Sequence, residues 1–411
     1  MKLVSLLGIA CFLALAWILS ENRRKFPMRA VLAGIGLQVV FAFFILKTSP
    51  GLAVFGWARD LVMKILGFAN EGASMIFGPL ADGEALGNVF GAQNAFILAV
   101  PVFSTIVFVS ALSSLLFHWG ILQKIVKGMA WIMKSLMGTS GSESLASAAN
   151  VFMGQTEAPL VVKPYITGMT RSEMMSMMTG GMATIAGSVL AAYVAMGMDA
   201  GHLLTASVLS APGALMVARI MVPETGVSQT AAGAEVKIEK NAVNSIDALC
   251  LGARDGIMLT LNVLAMLIAF VATIGLANFV LESVLKPFFG QPVTIQQIFA
   301  YTQVPFAWLM GVPAEDCMEI SRALGNRIVF NEFLGYQSLA GADEIIQDRS
   351  RILGAYALCG FANFGSIAIQ IGGIGQLSPE RRPDLASLGV KSMIGGLITC
   401  YLTASIVGVF I

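Results

Sequence analysis

Three short polar segments lie within sequence that is otherwise strongly apolar. The first is the hexapeptide GQTEAP at residues 154–159, the second is Asn331-Glu332, and the third runs from Asn363 to Ser366. A carboxylate near the centre of a bilayer costs roughly 3 kcal/mol, so an ionisable residue in such a place is a candidate for function. The three segments together predict one shared, solvated cavity.

The first segment carries an amide, a hydroxyl and a carboxylate. Gln155 and Glu157 are two residues apart, and side chains at that spacing do not face each other on a helix. Gly154 and Pro159 flank them; glycine permits unusual backbone dihedrals and proline removes a hydrogen-bond donor. We therefore expect a non-helical tip whose donors and acceptors match a polar organic ligand. The alternative is a polar tip that only satisfies its own backbone.

The second and third segments add a carboxylate and a polar helix face. Glu332 has apolar neighbours on both sides, which favours a buried carboxyl that binds a ligand or relays a proton. Asn363 and Ser366 are three residues apart and share one face of a helix. Phe361 joins that face only if the helix is distorted. With the two glutamates, these residues predict a pocket that stacks a ring and binds hydroxyl groups.

The segment from Thr179 to Ser188 is rich in glycine and supports two interpretations. Small residues allow helices in membranes to pack closely. Alternatively, the chain unwinds there and presents carbonyl oxygens, with the Thr184 hydroxyl, to a hard cation such as Na⁺. Spacing alone leaves both interpretations open.

The composition is that of a polytopic membrane protein. The chain is 56% hydrophobic and 12% charged, against roughly 25% charged residues in soluble domains. Its mean hydropathy is +0.79, and several apolar runs can cross about 30 Å of hydrocarbon as helices. A net charge of +1 gives no reason to expect a nucleic-acid partner. No metal motif, paired catalytic carboxylates or nucleophile–base arrangement is present, so the sequence does not predict an enzyme.

Apolar runs predict eight crossings of the membrane. Basic loops after the first and third spans and before the last belong on the cytoplasmic side, which places both termini outside. The N-terminal apolar run is interpreted as an uncleaved first span and not as a signal peptide. The predicted spans are 3–20, 27–47, 93–118, 173–197, 201–222, 256–284, 328–341 with 351–372, and 388–411.

Two further segments, 141–168 and 295–325, are too polar to cross lipid and too apolar for solvated loops. Both are interrupted by Gly and Pro. Irregular backbone at membrane depth survives only when it is shielded or faces water, so we expect two re-entrant hairpins. Segments 51–78 and 121–136 have the pattern of interfacial amphipathic helices.

A hairpin followed by two spans occurs on each side of the single span 256–284. This order predicts an inverted repeat, the common plan of secondary transporters. The expected fold is an all-α polytopic membrane protein with eight transmembrane helices and two re-entrant helical hairpins. Its predicted units are scaffold spans at 1–120, the first half of a transport unit at 121–222, a cytoplasmic linker at 223–255, a scaffold span at 256–284 and the second half at 295–411.

These motifs resemble the concentrative nucleoside transporters. The matching strings are GQTEAPL at 154–160, NEF at 331–333 and GFANF at 360–364. Eight spans resemble a bacterial member of the family. Arg327 stands where the family signature has Lys, and Leu334-Gly335 replaces Val-Ala. Neither departure alters Glu332, but both leave the fine substrate preference open.

The resemblance implies a homotrimer in the bacterial cytoplasmic membrane and a set of ligand contacts in each protomer. The implied mechanism is Na⁺-coupled nucleoside symport by alternating access; proton coupling and passive facilitation are the alternatives. By position, the resemblance implies base contacts at Gln155, Thr156, Glu157, Val189 and Phe361, ribose contacts at Glu332, Asn363 and Ser366, and a Na⁺ site at the carbonyls of Asn150, Met153, Thr184 and Ile185 with the Thr184 hydroxyl.

Overall fold

A computed structural model describes residues 1–90, 97–230, 242–289, 293–342 and 346–411, and these ranges contain helices and loops but no strands. The apolar runs of the first third form helices that begin and end near Gly, Pro or polar residues. They are α1 (Lys2–Ile18), α2 (Met28–Lys47), α3 (Ser49–Phe77), α4 (Gly83–Phe90), α5 (Ala99–His118) and α6 (Ile121–Met137).

The middle third begins with two short helical arms that enclose the GQTEAP segment. A helix with a central interruption and a long helix follow. They are α7 (Gly141–Ala149), α8 (Ala158–Val161), α9 (Lys163–Ile166), α10 (Arg171–Ala183), α11 (Gly187–Ala195) and α12 (Ala200–Met221).

The last part starts with the longest helix of the described chain and ends with a long buried helix. Between them, shorter helices change direction at polar residues. They are α13 (Ser245–Phe289), α14 (Ile295–Leu309), α15 (Cys317–Val329), α16 (Glu332–Ala340), α17 (Asp348–Leu358), α18 (Phe364–Leu377) and α19 (Arg382–Phe410).

Six apolar helical stretches in the described residues are long enough to cross a membrane, and each overlaps a predicted span. Two shorter apolar helices, α1 and α18, lie at the positions of two more, so the count of eight crossings stays a prediction. Residues 93–96 of the predicted third span lie outside the described residues. The six stretches are Met28–Lys47, Ala99–His118, Arg171–Ala195, Ala200–Met221, Ser245–Val284 and Pro379–Phe410.

The predicted span 173–197 is not one continuous helix. The α-helix stops at Ala183, and Thr184 has extended dihedrals (φ −127°, ψ 168°) before α11 begins at Gly187. The unwound turn, which the sequence left as one of two interpretations, is therefore present. Its consequence is that the last carbonyls of α10 lose their helical partners.

The boundaries predicted for the second hairpin and the second broken span need correction. Residues 328–341 do not begin a span, because the chain reverses at Phe330 and α16 returns along α15. A Cβ at Gly335 of α16 would lie 3.0 Å from the carbonyl oxygen of Ala323. The reversal has a local cause: the Asn331 Oδ1 accepts the Leu334 N–H at 3.1 Å and so starts a new helix.

The interrupted helix of the second half is consequently the pair α17 and α18, with its break at residues 359–363. Helices α14 and α15, which the sequence predicted as the hairpin 295–325, pack as neighbours. The hairpin that presents Glu332 is instead α15 with α16. The chain thus contains two similar series: α6, hairpin, broken α10/α11 and α12; then α14, hairpin, broken α17/α18 and α19.

The two helix breaks lie against each other. A Cβ at Gly360 would lie 2.6 Å from the carbonyl oxygen of Met182 and 2.7 Å from the Cys400 sulfur. Only glycine permits this approach. Helices α10, α12 and α19 pack around the breaks and carry many of the fully buried side chains, so the core surrounds the polar residues.

Candidate functional site

The first hairpin tip spans residues 150–157, between α7 and α8. The Glu157 carboxylate is partly exposed and accepts the backbone N–H of Gly154 at 3.2 Å, which closes the loop on itself. Thr156 points toward α18, where a Cβ at Gly373 would lie 3.0 Å from its methyl group. The predicted non-helical tip is therefore present.

Gln155 connects this tip to α18 through both ends of its amide. Its Nε2 donates to the Ser366 hydroxyl at 3.1 Å, and its Oε1 accepts from the Gln370 Nε2 at 3.1 Å. Gln370 also donates to the Met178 carbonyl oxygen at 3.0 Å. The sequence analysis missed Gln370, although it lies four residues after Ser366 and therefore on the same helix face.

The second tip holds Glu332 between two partners from other elements. Its Oε1 accepts the Tyr193 hydroxyl at 2.8 Å, and its Oε2 accepts the Asn363 Nδ2 at 3.0 Å. Asn363 is oriented by the start of α18, because its Oδ1 accepts the Ser366 N–H at 2.8 Å. The structure thus brings together Glu332, Asn363 and Ser366, as predicted. Tyr193 is an addition that no local pattern indicated.

Arg327 lies on α15 behind this tip and is completely buried. Its guanidinium donates to the carbonyl oxygen of Ala357, in the last turn of α17, and to the Tyr401 hydroxyl at 3.1 Å. Its charge also lies 5.3 Å from the centre of the Tyr401 ring. Tyr401 in turn donates to Gln303 at 2.6 Å. Arg327 therefore joins the second hairpin to α17 and α19, and supplies a donor at the break.

The residues implied as cation ligands lie at the end of α7 and at the break after α10. Asn150 is 1% exposed, yet neither its Oδ1 nor its Nδ2 has a hydrogen-bond partner among the described residues. The Thr184 hydroxyl donates to the Gly180 carbonyl oxygen at 2.9 Å. The break and the tip are joined by the Gly187 N–H, which donates to the Phe152 carbonyl oxygen at 3.2 Å. Amide, carbonyl and hydroxyl oxygens are ligands that suit a hard cation.

Four other predicted residues lie close to the same elements. Ile185 is fully buried in the break, and Met153 lies in the first tip, partly exposed. Val189 is buried on α11, and Phe361 lies partly exposed in the break between α17 and α18. The side chains of these four residues are apolar and form no hydrogen bonds among the described residues. What these side chains contribute to a site is its shape.

A cavity of about 550 Å³ lies beside the first tip, within the usual range for small-molecule sites. One wall is the hairpin, with Glu157, Met153 and the nearby Ser188; the opposite wall is formed by α5 and α13, including Arg254 and Asp255. The Glu157 carboxylate thus faces a cavity whose opposite wall carries the charged side chains of Arg254 and Asp255. Residues of the second tip do not line it.

Three family models match almost the whole chain. The Na⁺ dependent nucleoside transporter N-terminus matches residues 7–80, nucleoside recognition matches residues 99–200, and the Na⁺ dependent nucleoside transporter C-terminus matches residues 202–408. The chain belongs to the Na⁺-dependent, concentrative nucleoside transporter family. The resemblance drawn from the sequence motifs is thereby confirmed.

Individual relatives agree with this assignment. The Bacillus subtilis transporter YutK is 40% identical over 409 residues, covering 99% of this chain and 98% of YutK. Rat sodium/nucleoside cotransporter 1 is 39% identical over 424 residues, but the match spans only 64% of the rat protein. The family consists of transporters, so the expectation that the protein is not an enzyme is also confirmed.

Solved structures of CNTnw share this fold. The inward-facing, substrate-bound state has a TM-score of 0.92 and 37% identity, covering 100% of this chain and 98% of CNTnw. A CNTnw variant in an outward-facing state has a TM-score of 0.93, with the same identity and coverage. The transporter is thus an all-helical, multi-pass membrane protein of the same architecture.

Proposed function

We propose that this transporter imports nucleosides across a bacterial cytoplasmic membrane by Na⁺-driven symport with alternating access. The convergence of both hairpin tips on the start of α18 carries the proposal: Gln155 bonds Ser366, while Glu332 bonds Asn363. A ligand bound here touches both halves of the chain. Movement of one half against its surroundings then exposes the ligand to one side of the membrane at a time.

Glu332 and Asn363 form the ribose half of the proposed site. A carboxylate accepts charge-assisted hydrogen bonds, which are about twice as strong as neutral ones. Each Glu332 oxygen has one protein donor and retains a second lone pair for a sugar hydroxyl. Ser366 adds a hydroxyl one turn into α18. These hydrogen-bonding groups match the vicinal hydroxyls of ribose, which can donate to the Glu332 carboxylate.

The first tip forms the base half of the proposed site. Gln155 has an amide that donates and accepts, so it can exchange its present partners for the edge of a nucleobase. Glu157 accepts from base N–H groups, and Thr156 completes the polar edge. Val189 and Phe361 supply apolar surface for the face of the ring.

The Na⁺ site is proposed at the carbonyls of Asn150, Met153, Thr184 and Ile185, with the Thr184 hydroxyl. Its support is the unpaired Asn150 amide beside an unwound turn. A cation there joins the end of α7 to the break after α10 and so orders the tip that carries Gln155. Nucleoside affinity then rises with Na⁺, and by reciprocity Na⁺ affinity rises equally with nucleoside.

The test is uridine uptake into proteoliposomes containing the purified transporter. With an inward Na⁺ gradient, labelled uridine should accumulate above its external concentration. Replacing Na⁺ by K⁺ should lower the initial rate at least about tenfold, the effect of losing roughly 1.4 kcal/mol of coupling. Uptake driven by a proton gradient without Na⁺ would replace the Na⁺ assignment, and uptake that only equilibrates would indicate a facilitator.

The assembly is proposed to be a homotrimer with both termini outside the cell. Supporting this, α13 packs on α5 and leaves apolar side chains such as Ile268, Leu276 and Phe279 exposed along its length. Such a surface requires lipid or a partner. Native mass spectrometry from nanodiscs should give three chains per particle; a single chain would assign that surface to lipid.

A further inference from the structure

Three buried polar side chains lie on the facing surfaces of α7 and α10, and we name them the polar seam: Ser147, Asn150 and Ser176. Each is at most 1% exposed, and none has a side-chain hydrogen bond within the described part of the chain. A Cβ at Gly180 would lie 3.1 Å from the Asn150 Nδ2 and 3.4 Å from the Ser147 Oγ. Glycine at 180 thus leaves room between the two helices.

Unpaired hydroxyls of this kind are not the rule in this protein. The buried hydroxyls of Thr205, Thr399 and Ser405 each donate to the carbonyl oxygen four residues earlier, at 2.7–2.8 Å. The hydroxyls of the polar seam make no such bond. A buried polar group without a partner costs about 1–3 kcal/mol, so three of them together require a polar occupant.

The polar seam runs between two sites that suit cations. One end is Asn150, beside the Thr184 turn that is proposed to bind Na⁺. Glu173 lies toward the other end. It precedes Gly180 on α10 by seven residues, or about 10 Å. It is 1% exposed and accepts from the Thr170 N–H at 2.8 Å and the Ser142 hydroxyl at 3.1 Å.

Glu173 differs from the neighbouring buried carboxylate. Glu143 is neutralised by an ion pair with Arg219, whereas Glu173 has only hydroxyl and N–H donors among the described residues. A line of neutral oxygen atoms that ends at an unneutralised carboxylate attracts a cation. It repels an anion, and it offers no apolar surface for a nucleobase.

We infer that the polar seam is a hydrated route for the monovalent coupling cation, connecting the Asn150 end to Glu173 at the cytoplasmic end of α10. The inference rests on the proposed Na⁺ coupling and deepens it. The nucleoside takes a different path, because none of the three seam residues lines the 550 Å³ cavity on the other side of the first hairpin. The cation and the nucleoside therefore leave through separate openings, which lie on opposite sides of the first hairpin.

The test separates release of the cation from binding of it. The double variant Ser147→Ala/Ser176→Ala removes two seam hydroxyls without altering the proposed Na⁺ ligands. We expect net Na⁺-driven uridine uptake to slow about tenfold, as for a barrier raised by one lost polar contact. Uridine exchange with saturating Na⁺ on both sides, in which loaded transporter reorients without releasing Na⁺, should stay within about twofold of wild type. Ser405→Ala is the control, since it removes an equally buried hydroxyl elsewhere.

Other outcomes overturn the inference. Unchanged net uptake removes the polar seam from the route, and an equal loss of uptake and exchange assigns it a structural role. A weaker equilibrium Na⁺ affinity, from uridine binding at graded Na⁺, would make the hydroxyls ligands instead. If the double variant fails to fold, the cap-preserving Glu173→Gln is measured in the same way. Failure of the proposed function is distinct, because wild-type uptake would then ignore Na⁺.

Discussion

The two hairpin tips present a glutamate each, but they hold it differently. Glu157 lies in the irregular loop 150–157, and among the described residues it accepts a hydrogen bond from the Gly154 N–H of the same loop. Glu332 follows a reversal at residues 330 and 331, begins a helix, and is bonded by Tyr193 and Asn363 from two other elements. Glu332 is preorganised by its surroundings, whereas the position of the Glu157 side chain depends on its own loop and on what binds there.

Under the proposed function, this contrast predicts different tasks for the two halves of the site. A fixed carboxylate recognises a feature common to all substrates, such as a sugar. An adjustable loop accommodates variation among bases and responds to a cation at its root. The same contrast predicts that substitutions in the second tip weaken binding of all nucleosides strongly. Substitutions in the first tip should weaken binding less, and by an amount that depends on the nucleoside.

The largest effect is expected from Glu332→Gln. The amide keeps the shape but loses the charge around which Tyr193 and Asn363 are arranged, and a hydrogen bond to a charged group contributes about 1.5–3 kcal/mol. With two sugar hydroxyls involved, calorimetry should show uridine binding weakened about a hundredfold or more. The control is Glu319→Gln on the same hairpin, where the carboxylate pairs with Arg322. Binding within threefold of wild type would remove Glu332 from the site.

Arg327→Met should have the next largest effect. It removes the donors to Ala357 and Tyr401, and leaving buried partners unsatisfied costs about 1–3 kcal/mol each. We expect a lower melting temperature and uridine binding weakened about thirtyfold, through misplacement of the second tip. Arg327→Lys should restore part of both, since it keeps the charge but loses the fork of donors. Arg322→Met, on an exposed face, is the control.

Gln155→Ala tests the adjustable tip. It breaks the connection to Ser366 and Gln370, but the loop retains other polar groups. Uridine affinity should fall about tenfold, the effect of one or two neutral hydrogen bonds, and the loss should differ between purine and pyrimidine nucleosides. Gln337→Ala, an exposed amide on the second hairpin, should change nothing. A uniform loss across bases would contradict the division of tasks.

Tyr193→Phe should have a smaller effect because it removes one of two donors to Glu332 and keeps the ring. A single hydrogen bond of about 1 kcal/mol corresponds to roughly fivefold weaker binding. Combining Tyr193→Phe with Glu332→Gln should add little, since both act on the same contact. Full additivity in that double-mutant cycle would show that Tyr193 acts elsewhere.

The smallest effect is expected outside both tips, at Glu21. Hydrogen bonding to Arg171, at 2.9 Å, and to Lys391 lowers the pKa of Glu21 to about 2. This contact fastens the start of α10 to α19. Its stabilisation is present above about pH 4.5, the ordinary pKa of the carboxyl, and is lost as the pH falls toward 2. The melting temperature should fall across that window, and Glu21→Gln should flatten the fall.

Local sequence patterns sufficed for the residues that interrupt apolar runs. A polar group costs free energy in lipid, and this cost marks Gln155, Glu332, Asn363 and Ser366 as candidates. The structure brings these four residues together. The reversal at Asn331 was not predicted: the sequence pattern assigns 328–341 to a span, since a helix cap in an apolar run resembles the interior of a span. No Gly or Pro marks it.

Contacts between distant segments were beyond prediction. Tyr193 meets Glu332 across 139 residues, and Gln155 meets Gln370 across 215. Arg327 was noticed only as a departure from a motif. Its role depends on the end of α17 and on Tyr401, which no periodicity relates to it. Such partners follow from how the two halves pack, and a single sequence does not encode that in its local patterns.

The 45 residues of α13 have a consequence for the membrane itself. At 1.5 Å per residue the helix is about 68 Å long, more than twice the thickness of the hydrocarbon layer. The helix must tilt strongly from the membrane normal or extend beyond the lipid. Bilayer thickness is one influence on that tilt, and α13 carries Arg254 and Asp255, which line the cavity beside the first tip. We therefore expect acyl-chain length to alter the position of this wall and, with it, the rate of transport.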